Sequence, residues 1–265
     1  MEHETLRLAV DDGVATLTLH RPEAMNAITQ RMKDELGAAL ESLAALAANA
    51  AVRVLVITGA GDKAFCAGAD IKERAGTDPA PAEFFFRQQA THRLFTRLEQ
   101  FPLPVIAALN GVAFGGGAEI ALCADLRVAA EHARIGLTEV VLGVIPAGGG
   151  TQRLARLVGP AKAKELLFTA ARLTAAEAWS LGLVNRVVPA GRLNAEVRGL
   201  ARAIADKPPL ALRFAKQAVD KGLQADLQTA LDFELYAASI LFDTEDRREG
   251  MRAFVEKRAP HFKGC

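Results

Sequence analysis

Three short segments carry residue types that a plain hydrophobic core does not need. Residues 109–125 (LNGVAFGGGAEIALCAD) run from an apolar stretch into Gly115-Gly116-Gly117, with a short helix expected from about Ala118 and Glu119 in its first turn. Amides at a helix start, together with the macrodipole, favour an oxyanion. Residues 135–154 (IGLTEVVLGVIPAGGGTQRL) place Glu139 in an otherwise apolar stretch, ahead of a glycine-rich loop that opens a helix near Thr151. A carboxyl among apolar neighbours is a candidate for a raised pKa and for proton transfer. Residues 64–73 (AFCAGADIKE) offer small side chains and free amides, which let a ligand approach the backbone closely. Each feature has a plain structural alternative: Glu119 as a helix-start carboxylate, Glu139 as a rim charge reaching water, and AFCAGAD as a tight turn. Together they describe two sets of amide donors beside two carboxyls, a device suited to chemistry through an enolate.

Other chemistries fit less well. Gly59-Ala60-Gly61-Asp62-Lys63-Ala64 satisfies the spacing of a dinucleotide fingerprint directly after a strand, but that fingerprint needs a helix next, and AFCAGAD follows instead. No Walker lysine follows the other glycine clusters. Of Ser42, Ser180 and Ser239, none lies in G-x-S-x-G. His3, His20, His92, His132 and His261 show no paired ligand spacing, so no metal site is expected. Cys66, Cys123 and Cys265 form no CxxC, which fits a reducing compartment, and the first two read as small buried hydrophobes.

The elements that must position these segments alternate in type. Residues 6–10 and 14–19 read as a hairpin around Asp11-Asp12-Gly13. Thr29 caps a helix with Met32, Leu36, Leu40, Leu43 and Ala47 on one face. The buried runs 54–58, 104–109 and 126–129, with a helix over about 82–100, indicate an α/β fold with parallel pairing. Thr174-Ala175-Ala176-Glu177 is a capping box. Residues 193–205, 210–221, 226–241 and 245–257 all read as helices, so the chain divides into a mixed core, 1–192, and a helical region, 193–265.

Hydrophobic residues at 51% and charged residues at 24% exclude disordered and fibrous classes. A net charge of +1, from 32 Lys and Arg against 31 Asp and Glu, argues against a dedicated nucleic-acid binder. The opening MEHETLRL has no apolar stretch, and no run is free enough of breakers to span a bilayer, so a cytoplasmic protein is expected.

The three segments resemble those of the enoyl-CoA hydratase/isomerase (crotonase) superfamily. The likeness runs from RPEAMNA (21–27) through LGLVNRVVP (181–189) to DTEDRREGMRAFVEKRAPHFKG near the end, and it is closest to the hydratase branch because both acidic positions are filled. The resemblance implies a spiral of ββα turns with a C-terminal helical oligomerisation region, and a homotrimer or a hexamer formed as a dimer of trimers. It implies backbone amides of Ala69 and Gly116 as the oxyanion hole for the thioester oxygen, with Glu119 and Glu139 as the catalytic pair. Coenzyme A would be part of the substrate, with no separate cofactor. It further places Ala24, Ala67, Ala69 and Ile71 around the adenine, Lys63 near the CoA phosphates, and Phe254 and Lys257 as tail residues reaching CoA, often a neighbouring subunit's. In the family loop the backbone amide at position 147 helps hold the catalytic water. Here that position is Ala147 where glycine is usual, and alanine disfavours a positive φ.

The expected activity is syn hydration of a trans-2-enoyl-CoA to a 3-hydroxyacyl-CoA. Alternatives are a Δ3,Δ2-enoyl-CoA isomerase working through Glu139 alone, a methylglutaconyl-CoA-type hydratase, and non-catalytic binding of CoA esters or RNA. The acyl-chain wall is expected from residues 72–95, with Phe84, Phe85 and Phe86 as candidates.

Overall fold

The computed structural model describes residues 3–76 and 79–265. Two residues of the expected acyl-wall stretch, Thr77 and Asp78, lie outside the described residues, as do Met1 and Glu2 of the opening. β1 (Leu6–Asp11) and β2 (Val14–Leu19) form the expected antiparallel hairpin. Its turn takes Asp12 and Gly13 to positive φ, the geometry that matches the twist of paired strands. Thr29 then caps α1 (Gln30–Ala48), its hydroxyl accepting from the Met32 amide at 3.1 Å. The face bearing Met32, Leu36, Leu40, Leu43 and Ala47 is buried.

From there the chain repeats one plan. β3 (Val54–Gly59) is followed by a short β4 (Ala64–Cys66), then α2 (Ile71–Ala75) and α3 (Pro81–Glu99). β5 (Val105–Leu109) is followed by β6 (Val112–Phe114) and α4 (Gly116–Cys123). β7 (Leu126–Ala130) is followed by β8 (Arg134–Gly136), α5 (Gly150–Val158) and α6 (Pro160–Phe168). The long strand of each unit joins one sheet and the short strand the other. Next come β9 (Leu173–Thr174), α7 (Ala175–Ser180) behind the expected capping box, and β10 (Arg186–Val188). The six-stranded sheet has the order β1-β2-β3-β5-β7-β10 and is parallel beyond the hairpin; the four-stranded sheet has the order β4-β6-β8-β9. The result is a spiral of ββα turns.

The glycine turn at residues 59–61 leads into β4, not into a helix, so it lacks the element a dinucleotide site requires. Cys66 and Cys123 are buried, and burial pushes both thiols up to about 12; Cys265 is exposed. Arg127 is also buried, at 4% exposure. Its guanidinium donates to the carbonyls of Ala121 and Ala124 at the end of α4 and to that of Leu183.

The helical region comprises α8 (Leu193–Ala205), α9 (Pro209–Gly222), α10 (Leu227–Phe242) and α11 (Glu245–Glu256). α8 lays Leu193, Val197, Ala201 and Ala205 onto the large sheet and is part of the core. α9 is tied back by Lys216, 2.9 Å from Asp125. Among the described residues, no helix is long and apolar enough to cross a membrane. Leu40→Ala, which empties a fully buried site on α1, is expected to lower unfolding free energy by about 2–5 kcal/mol in a urea titration, with little change in the denaturant slope.

Candidate active site

The site begins where α4 meets β4. An atom added as Cβ at Gly117 would lie 2.1 Å from the Cys66 carbonyl oxygen, so the helix and the strand touch through their backbones. Gly115 enters the helix at φ 50°, and the helix starts at Gly116, two residues earlier than expected from the sequence. As the first helical residue, Gly116 has an amide with no intrahelical acceptor. Facing it is the AGAD segment. There Ile28 forms a single parallel bridge, donating to the Gly68 carbonyl and accepting from the Asp70 amide. That pairing turns the intervening Ala69 amide away from Ile28, toward α4. A Cβ on Gly68 would stand 3.6 Å from the Gly116 nitrogen, and one on Gly116 would stand 3.8 Å from the Ala69 nitrogen. The Ala69 and Gly116 amides thus share one small space.

Glu119, one turn along α4, is buried to 5% exposure. Its Oε1 accepts from the Gly148 amide at 2.7 Å and the Gly150 amide at 2.9 Å. Burial pushes its pKa up, while those two amides and the charges of Arg153 and His92 pull it down; the net shift is upward. Its other oxygen, Oε2, lies 4.0 Å from the Cβ position of Gly116. Glu139 opens the short 3-10 turn Glu139–Leu142, and its Oε1 lies 3.2 Å from the Cβ position of Gly115. Its Oε2 is buried without a hydrogen-bond partner. Burial first, and then the Glu119 carboxylate, raise the Glu139 carboxyl to about 7 against the opposing charge of Arg74. The two carboxyls therefore bracket Gly115 and Gly116, close to the amide pair.

The loop at residues 146–150 is what seats Glu119. Ala147 is not among the residues with positive φ; the left-handed conformation falls at Gly149, φ 102°. Alanine at 147 is thus accommodated without strain. The Ala147 carbonyl accepts from Gln88 Nε2 at 2.9 Å and from His92 Nε2. Arg153 Nη1 donates to the Gly148 carbonyl at 2.9 Å and grips the Glu99 carboxylate with two further bonds. Sequence reasoning missed Gln88, His92, Glu99 and Arg153. The signal was available for two of them, since Gln88 and His92 stand four residues apart on one helix face.

The residues expected around CoA are placed as follows. Ala24 ends a 3-10 turn, and the neighbouring Met25 carbonyl accepts from the Ala67 amide at 3.0 Å. Ala67, Ala69 and Ile71 follow one another along the stretch paired with residues 25–28, with Ile71 half exposed at the start of α2. Arg21 clamps this pairing, 2.9 Å from Asp70 Oδ2 and 2.7 Å from the Ala27 carbonyl. Buried Asn26 braces the same turn, donating to the Ala60 and Ala64 carbonyls. Lys63 is exposed just before β4. Phe254, 84% exposed, and Lys257 lie at the end of α11; no hydrogen bond, ion pair or ring contact among the described residues links them to the loops around Glu119. Phe84, Phe85 and Phe86 are exposed on α3. Among the described residues no group of three or more His, Cys, Asp or Glu could hold a metal.

Two outcomes follow from this geometry. In a carbon-13 titration the Glu139 carboxyl is expected near 7, and in Glu119→Gln it falls but stays above the ordinary value of about 4.3, because burial remains. Gly148→Ala puts a methyl 2.5 Å from Glu119 Oε2 and 2.7 Å from Phe95. It is expected to displace Glu119 and cost about 1–3 kcal/mol, read by thermal unfolding and a crystal structure of the variant.

Comparison with known proteins agrees with this architecture. The family model described as enoyl-CoA hydratase/isomerase matches residues 9–265. The chain is 44% identical over 263 residues to the crotonyl-CoA hydratase of Syntrophomonas wolfei, covering 99% of each. It is 42% identical over 258 residues to the short-chain-enoyl-CoA hydratase of Clostridium acetobutylicum, covering 97% of each. The crystal structure of an enoyl-CoA hydratase from Bacillus anthracis superposes with a TM-score of 0.94 at 42% identity, over 99% of this chain and all of the other. A backbone-to-backbone junction bearing two converging amides and two carboxyls, in a chain matched from near its start to its last residue, makes this protein a member of the enoyl-CoA hydratase/isomerase family.

Proposed function

We propose that the protein is an enoyl-CoA hydratase that adds water reversibly and syn across the double bond of a trans-2-enoyl-CoA, giving a 3-hydroxyacyl-CoA. The observation that carries this reading is the pair of carboxyls around Gly115 and Gly116. Glu119 keeps Oε2 free of the amides that hold Oε1, and Glu139 is raised to about 7 and so keeps much of its proton near neutrality. One is then ready to accept a proton and the other to give one.

In this mechanism the thioester oxygen sits between the Ala69 and Gly116 amides. Glu119 takes a proton from water as the hydroxyl adds to the β-carbon, and negative charge moves to the thioester oxygen. The two amides meet that charge; losing one such donor costs about 3–4 kcal/mol. Glu139 then delivers its proton to the α-carbon. Glu119 ends protonated and Glu139 ionised, which is the arrangement dehydration starts from. The amide of Ala147 helps seat the water. Each step is a proton transfer or a polar addition with no net redox change, so the mechanism calls for neither nicotinamide nor metal. Ala24, Lys63, Ala67 and Ile71 would line the CoA path.

We further propose that the chain works as a homotrimer or a dimer of trimers, with Phe254 and Lys257 reaching a neighbouring subunit's CoA. Support comes from the apolar side chains left exposed along α9, α10 and the turn between them, among them Val219, Leu223, Leu227, Leu231, Leu235 and Tyr236, since clustered exposed apolar groups mark interaction surfaces.

Purified protein is expected to bleach the conjugated thioester absorbance of crotonyl-CoA, and both Glu119→Gln and Glu139→Gln to lower kcat by about 10²–10⁴-fold with unfolding temperatures preserved. An isomerase using Glu139 alone would instead tolerate Glu119→Gln. The active form carries one proton on the pair, so hydration is expected to fall as acid protonates Glu119 and to fall again as pH rises through about 7, where Glu139 loses its proton. Dehydration starts from the same proton count and should follow the same bell. Glu139→Gln should abolish the alkaline limb.

A further inference from the structure

The peptide unit joining Ala147 to Gly148 is bonded at both ends. Its N–H donates to Glu119 Oε1 at 2.7 Å, and its carbonyl receives Gln88 Nε2 at 2.9 Å and His92 Nε2. A carbonyl can only accept, so His92 must carry its proton on Nε2 to make this bond. The next carbonyl, that of Gly148, is held by Arg153, which Glu99 fixes with a two-pronged ion pair. Three of these four side chains, Gln88, His92 and Glu99, come from α3, a helix that contributes no group to the proposed proton transfers.

We propose that Gln88, His92 and Arg153 are positioning residues: through the backbone of residues 147–148 they aim the Gly148 amide at Glu119, and so hold the carboxylate with Oε2 turned to the reacting water. The proposal rests on the hydratase reading for its kinetic consequence only. Its physical basis is twofold. Donors on a peptide carbonyl polarise that peptide and strengthen the bond made by its N–H. They also fix the plane of the peptide, and a carboxylate displaced by an ångström loses much of the advantage of a positioned base. The other charged groups facing Glu119 are Arg153 on α5, His92 on α3 and Glu139; all act on it electrostatically, whatever the hydrogen bonds do.

The test separates donor from charge. His92→Phe and His92→Gln both remove the imidazole, but only the glutamine keeps a donor; Gln88→Leu removes a donor without touching any charge. For crotonyl-CoA hydration, His92→Phe and Gln88→Leu are expected to lower kcat about 10-fold with KM within about twofold, and His92→Gln to recover most of the loss. Arg153→Met should lower kcat at least as much. In parallel, a carbon-13 titration of the Glu119 carboxyl should move upward in His92→Phe and Gln88→Leu and return in His92→Gln. Unchanged kcat in folded His92→Phe and Gln88→Leu, a loss confined to KM, or a Glu119 titration identical in the phenylalanine and glutamine variants would overturn the proposal. A wild-type protein that does not hydrate enoyl-CoA would overturn the hydratase reading instead, and the Glu119 titration would still decide this one. Should His92→Phe fail to fold, Gln88→Leu against wild type still reads the loss of one donor with every charge in place.

Discussion

Glu119 is a carboxylate enclosed in the first turn of a helix, and a buried charge left unmet costs several kcal/mol. Much of the surrounding structure can be understood as the answer to that cost. Two amides from a separate loop bind one oxygen, Arg153 supplies positive charge beside them, and the start of α4 adds its dipole. The answer is deliberately incomplete: one oxygen is saturated and the other is left facing the amide pair at Ala69 and Gly116. Glu139 receives no such help at Oε2, and the two carboxyls consequently differ in their hold on a proton.

The helix that carries Glu119 is anchored at both ends by unlike means. At its start, the absence of side chains at Gly116 and Gly117 lets the backbone settle against β4 and the AGAD segment. At its end, the buried guanidinium of Arg127 donates to the Ala124 carbonyl, just past the last turn, and shares the Ala121 carbonyl with the Ala124 amide. Arg127 also reaches the Leu183 carbonyl, which ties α4 to the approach to β10. A cation at the carboxyl end of a helix suits the macrodipole, so burial of this arginine is compensated by the element it supports.

Much of this was legible in the sequence where the pattern is local. Thr29, Thr174 and the apolar stripe of α1 announce themselves through short-range spacing, and the structure has the cap, the capping box and the buried face. The β-branched run at 54–58 is a strand buried on both sides, as its composition implies. The three-residue strands β4, β6 and β8 are too short to show a period, and they exist because their neighbours in the second sheet pair with them. Within the site, Glu119 and Glu139 stand out as acids among apolar residues. Gln88 and His92 show only their shared helix face, and Arg153 shows nothing, since the partners are backbone carbonyls some 5 to 59 positions away and a carbonyl leaves no mark on the residue type. The position of Ala147 shows the converse: the residue type suggested a conformational conflict, and the loop avoids it by taking its left-handed turn at Gly149.

The thiols have a practical side. Cys66 lies under the Gly117 backbone and Cys123 on the inner face of α4, both with their ionisation pushed to about 12, so neither offers a thiolate at ordinary pH. Cys265, exposed beyond α11, is the remaining sulfhydryl. A maleimide dye or a resin linker will therefore attach at a single defined residue, and the protein can be immobilised or made fluorescent without engineering and without disturbing the interior on which the carboxyl pair depends.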